Sequence, residues 1–425
     1  MEIRLPELHQ GQVDIFNARA QFNVVCCGRR WGKTKLMVAM AGNEAAYGGK
    51  VGLFTPEHKQ LSEPFDELTE ILRPIKRTFD RTNGRIRLLT DGKIDFWATT
   101  DNHLAGRGRE YHLGCWDEVA FAKNNQAGEI WKKAIKPTLL TTRGSFWLFS
   151  TPNGIDQDNF FYQAWHDRSL GFKQHHAPTS SNPYVPPDEL EKYKKEYHPL
   201  AFQQEFLAEF IDWGSSTFFK LDYLLDSDGL PVEYPTKCDG VFAVMDCAAK
   251  SGTNNDATGI IYCAVSKYHG HPLIILDYEM HSIDASMLEF LAPKVLARCD
   301  ELARQCGARN GSLGIMVEDA AGGIVLNQQA RAKGWPVYPI DSVLMSKGKD
   351  ERAMIAGGPA YQGLCKISRH AFDKVVEWKG RTMNHLIHQV TTFRIGDKDA
   401  YRRADDLLDG FVYSIVLALS DQRSI

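Results

Sequence analysis

The chain has 425 residues, 43% of them hydrophobic and 24% charged, with a formal net charge of −3. This composition is typical of a globular protein of two or three domains and excludes a fibrous or disordered chain. No apolar stretch approaches the roughly 20 residues that cross a bilayer, and the first residues predict no signal peptide. The nine cysteines form no Cys-x-x-Cys pair. We therefore expect buried thiols in a reducing compartment.

Residues 28–34 read Gly-Arg-Arg-Trp-Gly-Lys-Thr and follow an apolar run at 22–27. The order of strand, glycine-rich turn and helix start predicts a phosphate-binding loop. Its backbone N–H groups and helix N-terminus face the phosphates, Lys33 reaches the β- and γ-phosphates, and the Thr34 hydroxyl binds Mg²⁺. The spacing is imperfect, because Cys27 stands where the usual motif has glycine. Since Gly-Lys-Thr also occurs by chance, the prediction needs support from other segments.

Two later strands end in chemistry that suits the same site. The first delivers Asp117 and Glu118; we expect Asp117 to hold Mg²⁺ and Glu118 to orient and deprotonate the attacking water. The second stops at Ser150 and Thr151, which can lie beside the γ-phosphate because the carboxyl ends of parallel strands face the ligand. Taken singly, these segments also fit an acidic surface turn and an ordinary strand exit. Three such strands in this order favour a nucleotide site.

Strand-like and helix-like segments alternate from residue 22 to about 175, which predicts an α/β domain with a parallel sheet. Turn-forming residues follow at 177–188, then one helix is expected at 189–210 and an irregular stretch to 237. We therefore predict an ATPase core at 1–176, a linker or helical subdomain at 177–236 and a second domain at 237–425.

The second half carries carboxylates at the ends of predicted elements. They are Asp246 after a strand, Asp256 before the next, Glu318 and Asp319 after a later strand, and Asp405, Asp406 and Asp409 at the start of an apolar helix. Asp406 and Asp409 are three residues apart and share a helical face. Buried like charges need a cation, so this array predicts two Mg²⁺ or Mn²⁺ ions and phosphodiester cleavage. The alternative is an acidic helix start favoured by the helix dipole.

Basic residues form only local patches, at 132–136 and at 346–352 (Ser-Lys-Gly-Lys-Asp-Glu-Arg). Such runs are more often solvated faces than DNA sites. By themselves they are weak evidence for a polyanion.

Over essentially all 425 residues the chain resembles the large terminase subunit of tailed bacteriophages. The resemblance implies an N-terminal P-loop ATPase domain that translocates DNA and a C-terminal RNase H-like nuclease domain with a mixed sheet. It identifies the deviant phosphate loop with Gly28, Arg29, Arg30, Trp31, Gly32, Lys33 and Thr34, the acidic pair with Asp117 and Glu118, and the coupling motif with Ser150 and Thr151. Gln12 resembles the glutamine that reads adenine, with Gln10 a poorer register, and Arg29 or Arg30 resembles the arginine that acts on the γ-phosphate.

In the second half, the resemblance identifies all seven carboxylates as candidate metal ligands. The choice between Glu318 and Asp319, and among the three helix aspartates, stays open. We favour Glu318 because the strand reaches it first, and the Asp406/Asp409 pair for its shared face. The catalytic set we expect is Asp246, Glu318 and Asp409.

The resemblance also implies the ligands and partners. These are ATP, Mg²⁺ in the ATPase site, two Mg²⁺ or Mn²⁺ in the nuclease site, double-stranded concatemeric phage DNA, the portal protein and the small terminase subunit. We expect a monomer in isolation, a ring on the portal, and a place in the host cytoplasm, docked transiently on the procapsid and absent from the virion and from membranes. The alternatives are a helicase-like ATPase, or a packaging factor whose C-terminal domain binds DNA without cutting it.

Overall fold

A computed structural model describes residues 3–100, 102–123, 126–213, 217–247, 258–319, 322–396 and 405–419. Contacts between residues divide the chain into two units. The first comprises Met1–Tyr193 and Pro199–Asp212, and the second Lys194–His198 and Trp213–Ile425. Residues 177–236 thus contribute to both units. Among the described residues, no helix has the length and apolar composition needed to cross a bilayer.

The first unit is built on an eight-stranded sheet in the order β3-β4-β5-β2-β6-β7-β1-β8. In this order, every neighbouring pair from β5 through β2, β6, β7 and β1 to β8 is parallel. Strands β3 and β4 form an antiparallel extension at the β5 edge. The strands are β1 (Phe22–Cys27), β2 (Lys50–Thr55), β3 (Lys76–Asp80), β4 (Arg85–Leu88), β5 (Lys93–Ala98), β6 (Leu113–Asp117), β7 (Ser145–Ser150) and β8 (Lys173–Ala177).

Strand β1 shows why this sheet is covered on both faces. Val25 and Cys27 belong to one hydrophobic core, and Val24 and Cys26 to the core on the opposite face. Successive side chains of a strand point to opposite faces, so a strand buried on both sides is a continuous apolar run. The strand predicted at 22–27 is confirmed, and all nine cysteines are buried free thiols.

The helices of this part are α1 (Gln10–Asn17), α2 (Lys33–Ala46), α3 (Ser62–Ile71), α4 (Ala127–Ile130), α5 (Phe160–His166), α6 (Pro187–Glu196) and α7 (Pro199–Leu207). The single helix expected at 189–210 was wrong, because the structure has two helices there. Pro199 lacks a backbone N–H and restricts the residue before it, so a new helix begins at the proline.

The second unit contains a mixed six-stranded sheet in the order β13-β12-β9-β10-β11-β14. Strands β9, β10 and β11 form an antiparallel meander, and β12 and β13 add in parallel on the β9 side. The strands are β9 (Gly240–Asp246), β10 (Thr258–Val265), β11 (Leu273–His281), β12 (Ser312–Val317), β13 (Val337–Pro339) and β14 (Cys365–Ile367), with a separate hairpin of β15 (Val376–Trp378) and β16 (Arg381–Met383). The predicted α/β fold class, with a parallel-rich sheet followed by a mixed sheet, is confirmed.

The helices of the second unit are α8 (Leu288–Gln305), α9 (Gly322–Lys333), α10 (Ser342–Met345), α11 (Lys349–Tyr361), α12 (Arg369–Asp373), α13 (His385–Thr392) and α14 (Asp406–Leu419). Helix α14 is buried along almost its whole length. It packs on β9, β10 and helix α11. An all-round apolar helix of this kind belongs inside a core.

A buried carboxylate on the second sheet forms ion pairs with residues outside the sheet. Asp277 on β11 lies 2.9 Å from Arg298 of α8, 2.6 Å from Lys374 and 3.4 Å from His370, and its side chain is only 4% exposed. Burial by itself raises the pKa of Asp277, but Lys374 and Arg298 outweigh it and hold the pKa below its ordinary value. The stabilisation is therefore present above the unfolded-state pKa and lost as the pH falls through the folded-state pKa.

We expect Asp277→Asn to destabilise the second unit by about 1.5–3 kcal/mol, the scale of a hydrogen bond to a charged group, because it weakens the bonds from the partly buried Lys374 and Arg298. Calorimetric melting at neutral pH measures this change. Glu301→Gln is the matched control, since Glu301 bonds the same guanidinium at 2.7 Å but is 48% exposed, and it should cost under about 1 kcal/mol. Equal losses in the two variants would show that burial of Asp277 does not matter.

Candidate functional site

The turn at 28–32 is held by residues far along the chain. The N–H of Arg29 donates to the carbonyl of Glu205 at 2.7 Å, and the Thr179 hydroxyl donates to the Arg29 carbonyl at 2.7 Å. A Cβ on Gly28 would lie 2.3 Å from the Thr179 oxygen and 2.4 Å from the carbonyl oxygen of Phe206. Position 28 therefore has room only for glycine. This explains why the first glycine of the motif is at 28, one residue later than in the usual spacing.

Two residues near the N-terminus support the same loop. The His9 ring bonds the carbonyl of Trp31 at 3.0 Å, and the Trp31 indole, 1% exposed, donates to Ser181 at 2.9 Å. The Gln12 side chain donates to the carbonyl of Gly32 at 2.7 Å and accepts from the His9 N–H at 2.9 Å. Gln12 thus positions the phosphate loop, and its reading of adenine stays a prediction. Gly32, with φ of 103°, supplies the left-handed turn before α2.

The predicted nucleotide residues come together at the carboxyl ends of the strands. Lys33 and Thr34 open α2, where the Lys33 Nζ lies 2.7 Å from the Glu118 Oε1 and the Thr34 hydroxyl donates to the Asp117 Oδ2 at 3.1 Å. The loop, the lysine and both carboxylates therefore meet at one edge of the sheet.

Strand β7 lies between β1 and β6 and completes this edge. It ends at Ser150, which is fully buried; its hydroxyl donates to the Glu118 Oε2 at 3.3 Å and accepts from the Ala120 N–H at 3.3 Å. Thr151 follows and is also buried. Glu118 has a φ of 53°, a left-handed backbone that is uncommon for this residue type and turns the chain sharply at the strand end.

Burial shapes the charges of this cluster. It raises the pKa of Asp117 to about 6, with Glu118 adding to the rise and Lys33 opposing it. Burial alone lowers the pKa of Lys33, but Glu118, Cys27 and Asp117 together outweigh it, so the pKa is raised and the lysine stays charged. One cation faces two carboxylates here. Hard oxygen donors with excess negative charge fit Mg²⁺.

The two arginines of the loop have different surroundings. The Arg29 guanidinium is bonded to the carboxylate of Glu205 on α7, although its side chain is 62% exposed. Arg30 is exposed and has a φ of 61°, and its carbonyl accepts from the Asn182 side chain at 2.7 Å. Glu205 could not be predicted from the sequence, because no motif marks a residue that lies 176 positions from its partner, Arg29.

In the second unit, the carboxylates predicted from separate elements converge. Asp246 ends β9 opposite Gly259 of β10, and a Cβ on that glycine would lie 2.9 Å from the backbone of Asp406. The glycine therefore lets the start of α14 approach the strand end closely. Burial raises the pKa of Asp246 well above its ordinary value, and the nearby charges of Asp409, Asp406, Glu318 and Asp405 raise it further.

Among the residues that the structure describes, two cations lie against these carboxylates. Lys349 forms ion pairs with Asp405 and, at 3.1 Å, with Asp409. Arg352 lies 3.4 Å from Asp409 and 3.9 Å from Glu318. The Tyr413 hydroxyl donates to Glu318. The expectation that 346–352 is a solvated face was wrong for Lys349 and Arg352. No sequence signal showed which of its charges point inward.

Two further predicted ligands are not part of this cluster as it is described. Asp319 accepts a hydrogen bond from Asn327 at 2.9 Å, and Asp256 lies outside the described residues. Within the described part of the chain, no three His, Cys, Asp or Glu side chains are arranged to hold a metal ion. The donors nevertheless fit Mg²⁺ or Mn²⁺ chemically, because they are carboxylates crowded enough to raise the pKa of Asp246.

No protein-family model matches the chain. In sequence it is 26% identical over 253 residues to the protein named terminase, large subunit, of Thermus phage G20c, and to the protein of that name of Thermus virus P23-45. Each alignment covers 51% of this chain and 51% of the relative. The aligned part thus spans about half the length of the curated relatives.

In fold, the chain is similar to a solved large terminase from a thermophilic bacteriophage. The TM-score is 0.64, covering 97% of this chain and 100% of that chain, at 12% identity. A structure of the same phage protein in complex with ADP has a TM-score of 0.62 at 13% identity, with 97% of this chain and 99% of that chain covered. In sequence over about half of its length, and in fold over nearly all of it, the chain resembles the large terminase subunits of bacteriophages.

Proposed function

We propose that this chain is a large terminase subunit of a tailed phage. ATP hydrolysis in the domain at 1–176 drives double-stranded viral DNA into the procapsid, and the domain at 237–425 cuts concatemeric DNA. Residues 177–236 form the linker or helical subdomain between them. The observation that carries the proposal is the contact of Lys33 with Glu118, beside Thr34 bonded to Asp117, at the edge of a parallel sheet.

In the ATPase reaction, each residue has a task that follows from its contacts. The loop N–H groups and Lys33 bind the β- and γ-phosphates, so Lys33 turns from Glu118 to the nucleotide. Glu118 is then available to accept a proton from the attacking water, while the Ser150 hydroxyl holds its other oxygen, with Thr151 alongside. Thr34 and Asp117 would hold Mg²⁺, which would neutralise charge on the phosphates. Gln12 positions the loop and lies where it can also read the base.

In the nuclease reaction, Asp246, Glu318 and Asp409 are the principal carboxylates, and Asp405, Asp406, Asp256 and Asp319 are further candidate ligands. Two divalent ions held there would activate water and stabilise the leaving oxygen of the phosphodiester. Arg352 and Tyr413 fix the orientation of Asp409 and Glu318 through their contacts. These contacts hold two of the carboxylates in place within the second unit.

The proposed partners follow from this activity: concatemeric DNA, the portal protein and the small terminase subunit. We propose a monomer in isolation, a ring on the portal and a place in the host cytoplasm while docked on the procapsid. The second candidate is a helicase-like ATPase or packaging factor whose C-terminal domain binds DNA without cutting it. A cleavage assay with Mn²⁺ separates the two.

Glu118→Gln and Lys33→Ala should each slow ATP hydrolysis by at least about 10²-fold, because one removes the base and the other a charge partner of the phosphates. Steady-state turnover measures the loss, and cleavage of plasmid DNA should persist. Lys35→Ala is the matched control on the same helix, since Lys35 pairs with Glu67 at 2.6 Å away from the acidic pair. Near-normal turnover in Glu118→Gln would refute the assigned base.

Arg30→Ala should lower ATP turnover by about 10³-fold, the scale of a guanidinium that acts on the transferred phosphoryl group, and should change nucleotide binding much less. Arg29→Ala should resemble Glu205→Gln, because both break the same ion pair. Turnover rates and nucleotide affinities, measured together, make the distinction. Unchanged turnover in Arg30→Ala would move the arginine role to Arg29, and unchanged turnover in both would move it elsewhere.

Asp246→Asn should eliminate DNA cleavage and weaken Mn²⁺ binding, yet preserve or raise the melting temperature without metal, because one repelling charge is gone. ATP hydrolysis should be unaffected. Nicking assays and melting with and without Mn²⁺ test this, with Asp300→Asn, on the exposed side of α8, as the comparison that should retain cleavage. Equal cleavage and equal Mn²⁺ stabilisation in wild type and Asp246→Asn would exclude this cluster as the nuclease site.

A further inference from the structure

The start of helix α11 brings two cations to the carboxylate cluster. Lys349 is its first residue, and Arg352 follows about one helical turn later. Residues three apart lie on the same helical face, so both side chains point the same way. Together they contact Asp405, Asp409 and Glu318.

Packing holds α11 close to the cluster. Its buried residues are small, namely Ala353, Ala356, Gly357, Gly358 and Ala360. The helix packs against α14, and Gly357 and Gly358 let it approach Phe218 and the backbone of Glu196. The position of the two cations is therefore set by the fold of the second unit.

The two cations are held by different contacts. Arg352 donates to the backbone carbonyl of Lys347 at 2.9 Å, and its guanidinium lies 4.8 Å from the centre of the Tyr413 ring. The ammonium group of Lys349 instead meets the carboxylates of Asp405 and Asp409. A lysine is a point charge on a flexible stem, whereas the planar guanidinium is fixed by several bonds. Lys349 is the cation that can leave.

A cation at this place reduces the electrostatic repulsion between the carboxylates. Carboxylates crowded in a partly buried site repel one another unless a positive charge lies among them. The Lys349 ammonium group forms ion pairs with both Asp405 and Asp409, so it supplies that positive charge directly. Its charge of one is half that of a divalent metal ion.

We propose that Lys349 is an internal counter-ion, which occupies the Asp405–Asp409 pair when metal is absent and competes with a divalent ion for these two carboxylates. The inference rests on the proposed nuclease function, because it assumes that the cluster binds metal. Metal then enters against the chain's own ammonium group. The nuclease site therefore loads at a higher metal concentration than the same carboxylates would without Lys349.

The test is Mn²⁺ binding to the full chain without nucleotide, by isothermal titration calorimetry, together with melting in EDTA. Lys349→Met should bind Mn²⁺ about tenfold more tightly, the scale expected for losing one close charge pair in a partly buried site. In EDTA it should melt below the wild type. Lys347→Met is the matched control, because Lys347 lies two residues away and pairs with the exposed Glu351; it should match the wild type in both measurements.

Lys349→Arg and Lys349→Gln guard against a folding defect in the methionine variant. Arginine keeps the charge and should retain weak Mn²⁺ binding, whereas glutamine should bind as tightly as methionine. Unchanged or weaker Mn²⁺ binding in both neutral variants overturns the inference. If those variants instead lose affinity for DNA at wild-type Mn²⁺ affinity, Lys349 is a phosphate contact and the inference is again overturned.

Asp409→Asn separates this inference from the proposed function. Suppose that Asp409→Asn binds Mn²⁺ more weakly than the wild type, whereas the neutral Lys349 variants bind it as the wild type does. The counter-ion role of Lys349 is then overturned, and the metal site stands. If the wild type, Asp409→Asn and Asp246→Asn all bind Mn²⁺ equally, these carboxylates are not a metal site. The proposed competition between Lys349 and metal is then overturned as well.

Discussion

Carboxylates that are withdrawn from water need positive charge beside them, and both candidate sites of this chain contain a lysine that supplies it. In the first unit Lys33 lies 2.7 Å from Glu118, next to the buried Asp117. In the second, Lys349 pairs with Asp405 and Asp409. Taking a charge out of water is costly unless a partner compensates it. In each unit the compensating lysine begins a helix, so the fold places its backbone next to the carboxylates while its side chain keeps its own freedom.

The phosphate loop depends on contacts that its own sequence does not contain. Glu205 on α7 binds Arg29 through both its carbonyl and its carboxylate, and the neighbouring Gln204 accepts from the N–H of Gly154 at 2.9 Å. Helix α7 thus contacts both the phosphate loop and the turn that follows Ser150. A loop held from outside can keep a left-handed glycine and a buried tryptophan in place. We infer that its deviation from the usual spacing is tolerated for this reason.

Much of the candidate site could be predicted because an apolar run that stops at a polar residue marks the end of a buried strand. Asp117, Ser150, Asp246 and Glu318 were all found in this way, and parallel pairing brings such ends to one edge. Glu205, Lys349, Arg352 and Tyr413 were missed. Each acts on a residue far away in sequence, and each belongs to a helix where periodicity identifies the buried face but not its partner. The prediction of a single helix at 189–210 was wrong for a local reason, because Pro199 starts a new helix.

The sequence by itself determined the two-sheet fold class, the order of the strands that carry the site, and the residue types at their ends. Those features depend on hydrophobic periodicity and on turn chemistry, which are properties of neighbouring residues. Only the tertiary structure decided that Gln12 holds Gly32, that Asp319 turns to Asn327, and that Lys349 lies against Asp405 and Asp409. Such choices depend on which buried charges and hydrogen-bonding groups meet across the fold, because a polar group withdrawn from water needs whichever partner the packing brings to it.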